Sequence, residues 1–257
     1  MISTQTQLGS LASSFDEDGY VAIKPLYSQD EMKLLNKEIA RYIEVAVPTM
    51  PTERVYFEDP LDVTTLKQLQ KMFEYDAYFE DLMFNGPARK IAETVLGEEV
   101  IPINMQYFNK PAGIGKPTPP HQDGYYFHLD PCKAVTGWLA LEDVDKENGC
   151  IHYVRGSHKV EEFRDHGQTG VLGFSQGMTD FGTENDKLET VSFPGAAGTF
   201  LMHDAKTIHW AGANTSLTRS RRALGFIYYG RSAIVDQATS ESYQKSLDSK
   251  LRATRAV

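Results

Sequence analysis

Cysteine is scarce in this chain: Cys132 and Cys150 are the only two among 257 residues, and no C-x-x-C pair occurs. The two could pair only once, so no disulfide framework is available, and two reduced thiols in a cytosolic protein are expected. Long apolar runs are also missing, since none approaches the roughly 20 residues that a membrane span requires. The opening segment Met1–Phe15 has neither the basic nor the apolar region of a signal peptide. Basic residues are outnumbered, with 26 Lys and Arg against 35 Asp and Glu, for a formal net charge of -9. Phosphate binding needs clustered Lys and Arg, so nucleic acid and anionic membrane surfaces are disfavoured as partners. A local basic pocket for an anionic small molecule is still compatible with that charge. No repeat, low-complexity tract or linker appears. The expectation is a single-domain, cytoplasmic protein acting on a small molecule, with no indication of its oligomeric state.

What the chain does have is glycine, proline and a change of period. Twenty glycines and twelve prolines suit a loop-rich β architecture, and 41% hydrophobic residues suffice for one sizeable core. Residues 1–98 read as mainly helical. Ser28 and Glu31 form an S-x-x-E capping box ahead of Leu35, Ile39, Tyr42 and Ile43, which share one helical face. The spacing of Leu66, Leu69, Met72 and Phe73 predicts a second helix, and a third should start at Pro87 and stop at Gly97. From Val100 the period becomes two, beginning with Ile101, Ile103, Met105 and Tyr107. Further short strands are expected at Val135–Leu141, Cys150–Val154, Leu188–Phe193, Thr199–His203 and Ala223–Tyr229, separated by turn clusters. Many short strands at such spacing mean a sandwich or barrel, here over about 99–232, followed by a tail at 233–257. Gly173–Asp186 reads as a long insertion.

The distinctive segment is Pro119-Pro-His-Gln-Asp-Gly-Tyr-Tyr126. On a strand, residues i and i+2 share a face, so His121 and Asp123 would point at one metal ion. A second histidine from elsewhere would complete a two-His-one-carboxylate triad, which leaves one face of Fe(II) open. The motif alone is weak, because His128-Leu-Asp130 repeats it seven residues later. Asp130 precedes proline, however, which marks a turn, whereas His121 follows a rigid proline-rich run. For the distal ligand, His152, His158, His166, His203 and His209 compete; His158 and His166 sit in charged segments and read as solvated. His209 opens His209-Trp-Ala-Gly-Ala-Asn214, whose small residues permit close approach, and Arg221 follows twelve residues later. A dicarboxylate bound to iron at one end needs a bidentate cation at the other, which a guanidinium supplies.

Taken together these segments resemble the phytanoyl-CoA dioxygenase family of Fe(II)/2-oxoglutarate-dependent oxygenases. Further likeness lies in Phe15-Asp-Glu-Asp-Gly-Tyr-Val-Ala-Ile23, Phe108-Asn-Lys-Pro111, Trp138-Leu-Ala-Leu-Glu-Asp143, Asn148-Gly-Cys150, Arg155-Gly-Ser-His-Lys159 and Pro194-Gly195. The resemblance implies a mainly β fold with flanking helices, a cupin-like double-stranded β-helix or jelly roll. It implies iron held by His121, Asp123 and His209, and a 2-oxoglutarate carboxylate held by Arg221, with Arg219 and Arg222 as neighbours able to compete. It also places Gln106, Trp138 and Lys67 at the cosubstrate pocket. Relatives often carry Ser two residues after the distal histidine where this chain has Ala211, so one hydrogen bond must be absent or come from elsewhere. Related halogenases replace the carboxylate ligand by Ala or Gly, and Asp123 speaks against that activity.

The implied reaction is hydroxylation of a small organic substrate at carbon, consuming Fe(II)-bound 2-oxoglutarate and dioxygen and releasing succinate and carbon dioxide. Desaturation or cyclisation would use the same ligands. A non-catalytic cupin-like binding module is the competing class, and Arg221 argues against it because a structural metal needs no dicarboxylate clamp. Met50–Tyr56 and Lys116–Tyr126 resemble somewhat the branch that hydroxylates small aminophosphonates. Arg54, Arg155, His158 and Lys159 are the candidate anion-binding residues for such a substrate, and solvated surface charge explains them equally well.

Overall fold

The computed structural model describes residues 5–59, 61–171, 174–243 and 245. Helix α1 (Gln5–Asp18) leads into strand β1 (Tyr20–Ile23) and then helix α2 (Gln29–Val45). The capping box at the start of α2 forms as expected: Ser28 Oγ accepts the Glu31 N–H at 3.3 Å, and Glu31 Oε2 accepts the Ser28 N–H at 2.7 Å. Its buried face is Met32, Leu35, Ile39 and Tyr42, spaced at three and four residues. Helices α3 (Ala77–Asn85) and α4 (Pro87–Leu96) follow, and α4 ends at Gly97, whose φ of 69° is the left-handed cap that glycine adopts without strain.

The expected helix through Leu66, Leu69, Met72 and Phe73 does not form. Leu66–Leu69 is instead strand β3, lying between β2 (Val55–Phe57) and β4 (Val100–Lys110). The four apolar residues do sit at helical spacing, but cross-strand bonding wins. Asn109 Nδ2 donates to Leu66 O at 2.9 Å, and Asn104 Oδ1 accepts the Lys71 N–H at 2.8 Å where the strand ends. Met72–Glu74 is left as a single 3-10 turn.

The remaining elements, in chain order, begin with β5 (Thr118–His121), α5 (Gly124–Phe127), β6 (Leu129–Asp130), β7 (Ala134–Ala140) and β8 (Ile151–Val154). Then come β9 (His166–Val171), β10 (Phe174–Met178), α6 (Glu184–Leu188), β11 (Thr190–Phe193), β12 (Phe200–Asp204), β13 (His209–Ala211), β14 (Arg221–Gly230) and β15 (Ile234–Val235). The expected long insertion is therefore a hairpin, β9 with β10, followed by a short helix; Gly173 itself lies outside the described residues. The tail begins with β15, which pairs with β6.

Two sheets face each other. The larger has seven strands in the order β1-β12-β7-β14-β4-β3-β2, and the smaller has four in the order β11-β8-β13-β5. Alternation assigns each side of the large sheet to a different core. Leu224, Phe226 and Tyr228 of β14 join Val135, Leu139, Met105 and Tyr107 under the helices. Ala223 joins Trp138, Ala140, Leu201, Tyr153 and Ala211 between the sheets. No helix of the described residues is long and apolar enough to cross a membrane.

The helical layer is tied together by Asp76, which caps α3 by accepting the Tyr78 N–H at 3.0 Å and takes both ends of the Arg41 guanidinium at 2.7 and 3.0 Å. The Arg41 bond holds the Asp76 carboxyl below its ordinary value of 3.8. Its stabilisation is therefore complete above the unfolded value and fades as pH falls through the lower folded one. Asp76→Ala should cost about 1–2 kcal/mol at pH 7, the range for a lost N-cap, with a smaller deficit near pH 3. Urea unfolding at both pH values measures it; equal deficits would show that packing rather than charge carries the effect.

Candidate active site

The site is built on the small sheet, where β13 runs antiparallel to β5 and places His209 directly opposite His121. Side chains opposite one another share a face, and here that face is the barrel interior. The two rings lie with centroids 3.9 Å apart. Each is oriented by its own backbone: His121 Nδ1 lies 2.9 Å from Pro119 O, and His209 Nδ1 lies 3.0 Å from Thr207 O. A carbonyl only accepts, so each Nδ1 carries the proton and each Nε2 presents a bare lone pair. Burial, with His121 and His203 nearby, holds His209 well below the usual histidine range, which keeps it neutral as a metal ligand must be.

Asp123 completes the group, by a different route from the one its spacing suggests. Strand β5 ends at His121, and Asp123 adopts helical dihedrals (φ -57°, ψ -38°) at the start of α5. A tight turn, rather than a continuing strand, brings Asp123 Oδ1 to 3.3 Å from His121 Nε2 and 3.7 Å from His209 Nε2. One ligand atom from each of the three residues lies within 4.8 Å of the others. Two neutral imidazole nitrogens and one carboxylate oxygen on one side of a point are the donor set of a facial triad, so the residues fit Fe(II).

The other oxygen of Asp123 is held by residues that the motif does not contain. Thr136 Oγ1 donates to Oδ2 at 2.6 Å, and His203 Nε2 lies 3.2 Å from the same atom. Because the carboxylate accepts from His203 Nε2–H, His203 Nδ1 must itself accept, and Tyr153 Oη donates to it at 2.9 Å. Burial raises the Tyr153 phenol well above its ordinary value, so it remains a donor. Burial opposes ionisation of Asp123, but the surrounding imidazoles outweigh it and hold its carboxyl well below the usual range. His203, a candidate ligand by sequence, thus braces the carboxylate rather than joining the triad. Only its two-residue alternation with Leu201 on β12 hints at an inward position.

The remaining histidines separate. His152 stacks on Trp210 at 5.0 Å, away from the ligand group, and His158 Nε2 lies 3.1 Å from Asp16 O. His166 is not solvated as expected: it stacks on Tyr125 at 4.1 Å, and its Nε2 accepts the Gln122 N–H at 3.3 Å. The second H-x-D is not part of the triad: His128 has a left-handed φ of 52°, and Asp130 is exposed on β6.

The three arginines separate as well. Arg219 is paired with Asp145 at 2.8 Å, and Arg222 binds Glu142 at 3.0 Å. Arg221, 4% exposed, points between the sheets with its guanidinium carbon 5.4 Å from the Trp138 ring centroid. Its Nε has no hydrogen-bond partner. Burial lowers its pKa to about 10, which leaves it charged at neutral pH. Gln106 and Trp138 flank Gly225 on one rung of the large sheet, and the Phe108 ring fills the space that glycine leaves. Gln106 Oε1 accepts from Gln68 Nε2 at 3.4 Å. Lys67 lies on β3, ion-paired to Glu58 at 3.2 Å.

If Thr136 orients the carboxylate, Thr136→Val should fold normally yet bind Fe(II) about 10- to 100-fold more weakly, as when such supporting bonds are removed elsewhere. Competition with a coloured chelator reads this directly, and unchanged affinity would leave His203 as the sole brace.

Comparison with known proteins places this geometry. The family model described as phytanoyl-CoA dioxygenase matches residues 15–223. Peroxisomal phytanoyl-CoA dioxygenase from Rattus norvegicus is 26% identical over 242 residues, covering 85% of this chain and 67% of that protein. Phytanoyl-CoA dioxygenase from Arabidopsis thaliana is 25% identical over 244 residues, covering 81% and 84%. Among solved structures, the epimerase SnoN in complex with Fe3+, alpha ketoglutarate and nogalamycin RO matches with a TM-score of 0.73 at 22% identity, covering 90% of this chain and 87% of that one. EctD from S. alaskensis with bound Fe matches with a TM-score of 0.73 at 20% identity, covering 86% and 76%. The structural likenesses carry the jelly-roll fold. The family match runs from near the end of α1 into β14 and includes His121, Asp123, His209 and Arg221. The chain belongs to the phytanoyl-CoA dioxygenase family.

Proposed function

We propose that this Fe(II)- and 2-oxoglutarate-dependent oxygenase hydroxylates a small organic substrate at carbon, releasing succinate and carbon dioxide. One observation carries the reading: a pre-oriented His121, Asp123 and His209 group shares its barrel interior with a buried Arg221 that has an unpartnered donor. A purely structural metal site requires no such cation.

In this reading His121, Asp123 and His209 would hold the iron, offering Nε2, Oδ1 and Nε2. Arg221 offers a planar pair of donors to the far carboxylate of 2-oxoglutarate, and Trp138 packs against that guanidinium. Gln106 supplies a polar side chain on the rung it shares with Trp138. Lys67 adds positive charge nearby, tempered by Glu58. Iron and 2-oxoglutarate together supply the oxidising power toward dioxygen; the protein orients them and keeps water out.

For the substrate, a small zwitterion or aminophosphonate is the reading. A cavity of about 510 Å³ borders the turn that carries Asp123, lined in part by Tyr125, His128, Asp130, Phe163, Asp236 and Tyr243. Aromatic faces and two carboxylates with no lysine or arginine suit the ammonium end of such a molecule. The proposed anion binders give less support. Arg155 is paired with Glu189 at 3.1 Å, and His158 is turned toward Asp16 O.

Screening small zwitterions, amines and phosphonates for succinate release tests the substrate class. With the substrate so found, His121→Ala and Asp123→Ala should lose both iron and succinate formation, while His128→Ala and Asp130→Ala keep their iron. The reverse pattern would move the metal to the second motif. Arg221→Ala should keep iron but bind 2-oxoglutarate about 30- to 5,000-fold more weakly, from the roughly 2–5 kcal/mol lost on truncating a buried charge pair. Anaerobic titration of the Fe(II) protein, followed by the weak visible band of the joint complex, measures this. Wild-type affinity in Arg221→Ala would remove its role as the clamp.

A further inference from the structure

Tyr153 is placed for more than its bond to His203. On β8 it is the cross-strand neighbour of His209, fully buried, with the two ring centroids 6.1 Å apart. Its phenol donates to His203 Nδ1 at 2.9 Å, and His203 Nε2 lies 3.2 Å from Asp123 Oδ2. A continuous hydrogen-bonded line therefore joins the phenol to the carboxylate of the metal group. The ring leads the other way, toward solvent. It stacks on Tyr20 with centroids 4.8 Å apart and planes at 14°. Phe193 stands edge-on to Tyr20 at 5.0 Å and to Tyr153 at 5.3 Å. Tyr20 belongs to β1, the outermost strand of the large sheet, and is 8% exposed. The charges of Asp18, Arg155 and Glu189 act on its phenol, and the last two form an ion pair at the surface.

Tyrosine is among the most easily oxidised side chains, but a buried one cannot lose an electron alone. The radical cation would be an unpaired charge in a dry interior. Its proton must leave with the electron, to a base already in place. His203 Nδ1 is that base, since its lone pair already receives the phenolic hydrogen. Once protonated, His203 keeps its Nε2–H on Asp123, so the new positive charge is paired at once with a carboxylate. Bracing of Asp123 needs a donor at His203 Nδ1 and nothing beyond it. The second phenol, stacked on the first and reaching the surface, is left over.

We propose that Tyr153 and Tyr20 form a two-step path that carries single oxidising equivalents from the metal group to the surface when no substrate consumes them. This rests on iron at His121, Asp123 and His209 and on no particular substrate. The electrons balance. Without substrate, 2-oxoglutarate and dioxygen become succinate, carbon dioxide and water, which takes up two further electrons and two protons. One electron comes from Fe(II), which becomes Fe(III), and the other from Tyr153; solvent supplies both protons. The phenolic proton of Tyr153 passes to His203 Nδ1, leaving a neutral tyrosyl radical. Tyr20 then returns an electron to Tyr153, which recovers its proton from His203, and the phenolic proton of Tyr20 goes to surface water. The oxidised residue is then Tyr20, away from the ligands that would otherwise be attacked.

No substrate is needed to test this. Anaerobic Fe(II) protein with 2-oxoglutarate is mixed with oxygenated buffer, frozen at intervals and read by electron paramagnetic resonance, with succinate measured alongside. The visible band formed before oxygen is added tests the oxygenase reading separately. Wild type should give a tyrosyl signal whose splitting collapses when ring-deuterated tyrosine is incorporated, and a spin trap present during turnover should label Tyr20. Tyr153→Phe should lose the signal. Tyr20→Phe should form succinate like wild type yet hold a longer-lived radical, because the outward step is gone. Should Tyr153→Phe lose its iron, the lifetime in Tyr20→Phe and the trapping at Tyr20 decide. Succinate without a tyrosyl signal in wild type overturns the inference and leaves the oxygenase reading standing. So does a wild-type signal in Tyr153→Phe, or a signal in Tyr20→Phe that decays as fast as in wild type. A wild type that consumes no 2-oxoglutarate without substrate overturns it too, since no oxidising equivalents would then need an exit.

Discussion

The antiparallel rung that sets His121 against His209 is the constraint on which the rest of the site depends. Side chains on one rung cannot slip relative to one another without shifting a whole strand to its other face, so the two imidazoles are fixed by register rather than by contact with a ligand. Each ring is then turned by a carbonyl two residues earlier on its own chain. That leaves only the carboxylate to be placed. Asp123 is placed by the abrupt end of β5 and by Thr136 and His203, which reach it from the opposite sheet. Both sheets therefore share the task, and the metal group forms only where they meet.

The same interior holds two electrostatic environments. At one end the histidines are neutral and Asp123 is ionised, a combination that favours a divalent cation. At the other end Arg221 and Lys110 start from one rung, Lys110 bonded to Lys116 O and Thr118 Oγ1 and Arg221 Nε without a partner. The separation matters because a chelating dicarboxylate is itself a dipole of this kind, with one end on the metal and the other on a fixed cation. Under the proposed function, a chain of net charge -9 binds such a dianion because the Arg221 cation is desolvated and local.

Much of this was legible in residues, and the failures have physical causes. Capping, the helix from Pro87 to Gly97 and the strand alternation after Val100 were readable because local geometry and burial agree there. The segment Leu66–Leu69 misleads because an apolar spacing of three satisfies a helix, while the pairing that makes it a strand is with β2 and with β4, the latter some forty residues further along the chain. His121, Asp123 and His209 stand out by motif, although the turn at Asp123 was not predicted from an i, i+2 argument. The bracing roles of Thr136 and His203 were not readable for one reason: each acts on a residue of another strand, and register across a sheet is not written in the spacing along either strand.

The walls of the neighbouring cavity differ in kind from the group that fits a metal. His121, Asp123, His209 and Arg221 sit on strands of the two sheets, or one turn beyond, where packing over-determines their positions. The neighbouring cavity is walled by residues of α5 and β6, by Phe163 in a loop, by Asp236 just after β15 and by Tyr243 near the end of the described chain. Loops and terminal segments tolerate change that a packed strand does not, since fewer buried contacts depend on them. A packed interior thus fixes the group that fits a metal, while the cavity assigned to the substrate under the proposed function is walled by peripheral elements that can vary without disturbing the register of β5 and β13. On that reading the reaction class follows from His121, Asp123 and His209, whereas the substrate is set by the shape and charge of the cavity.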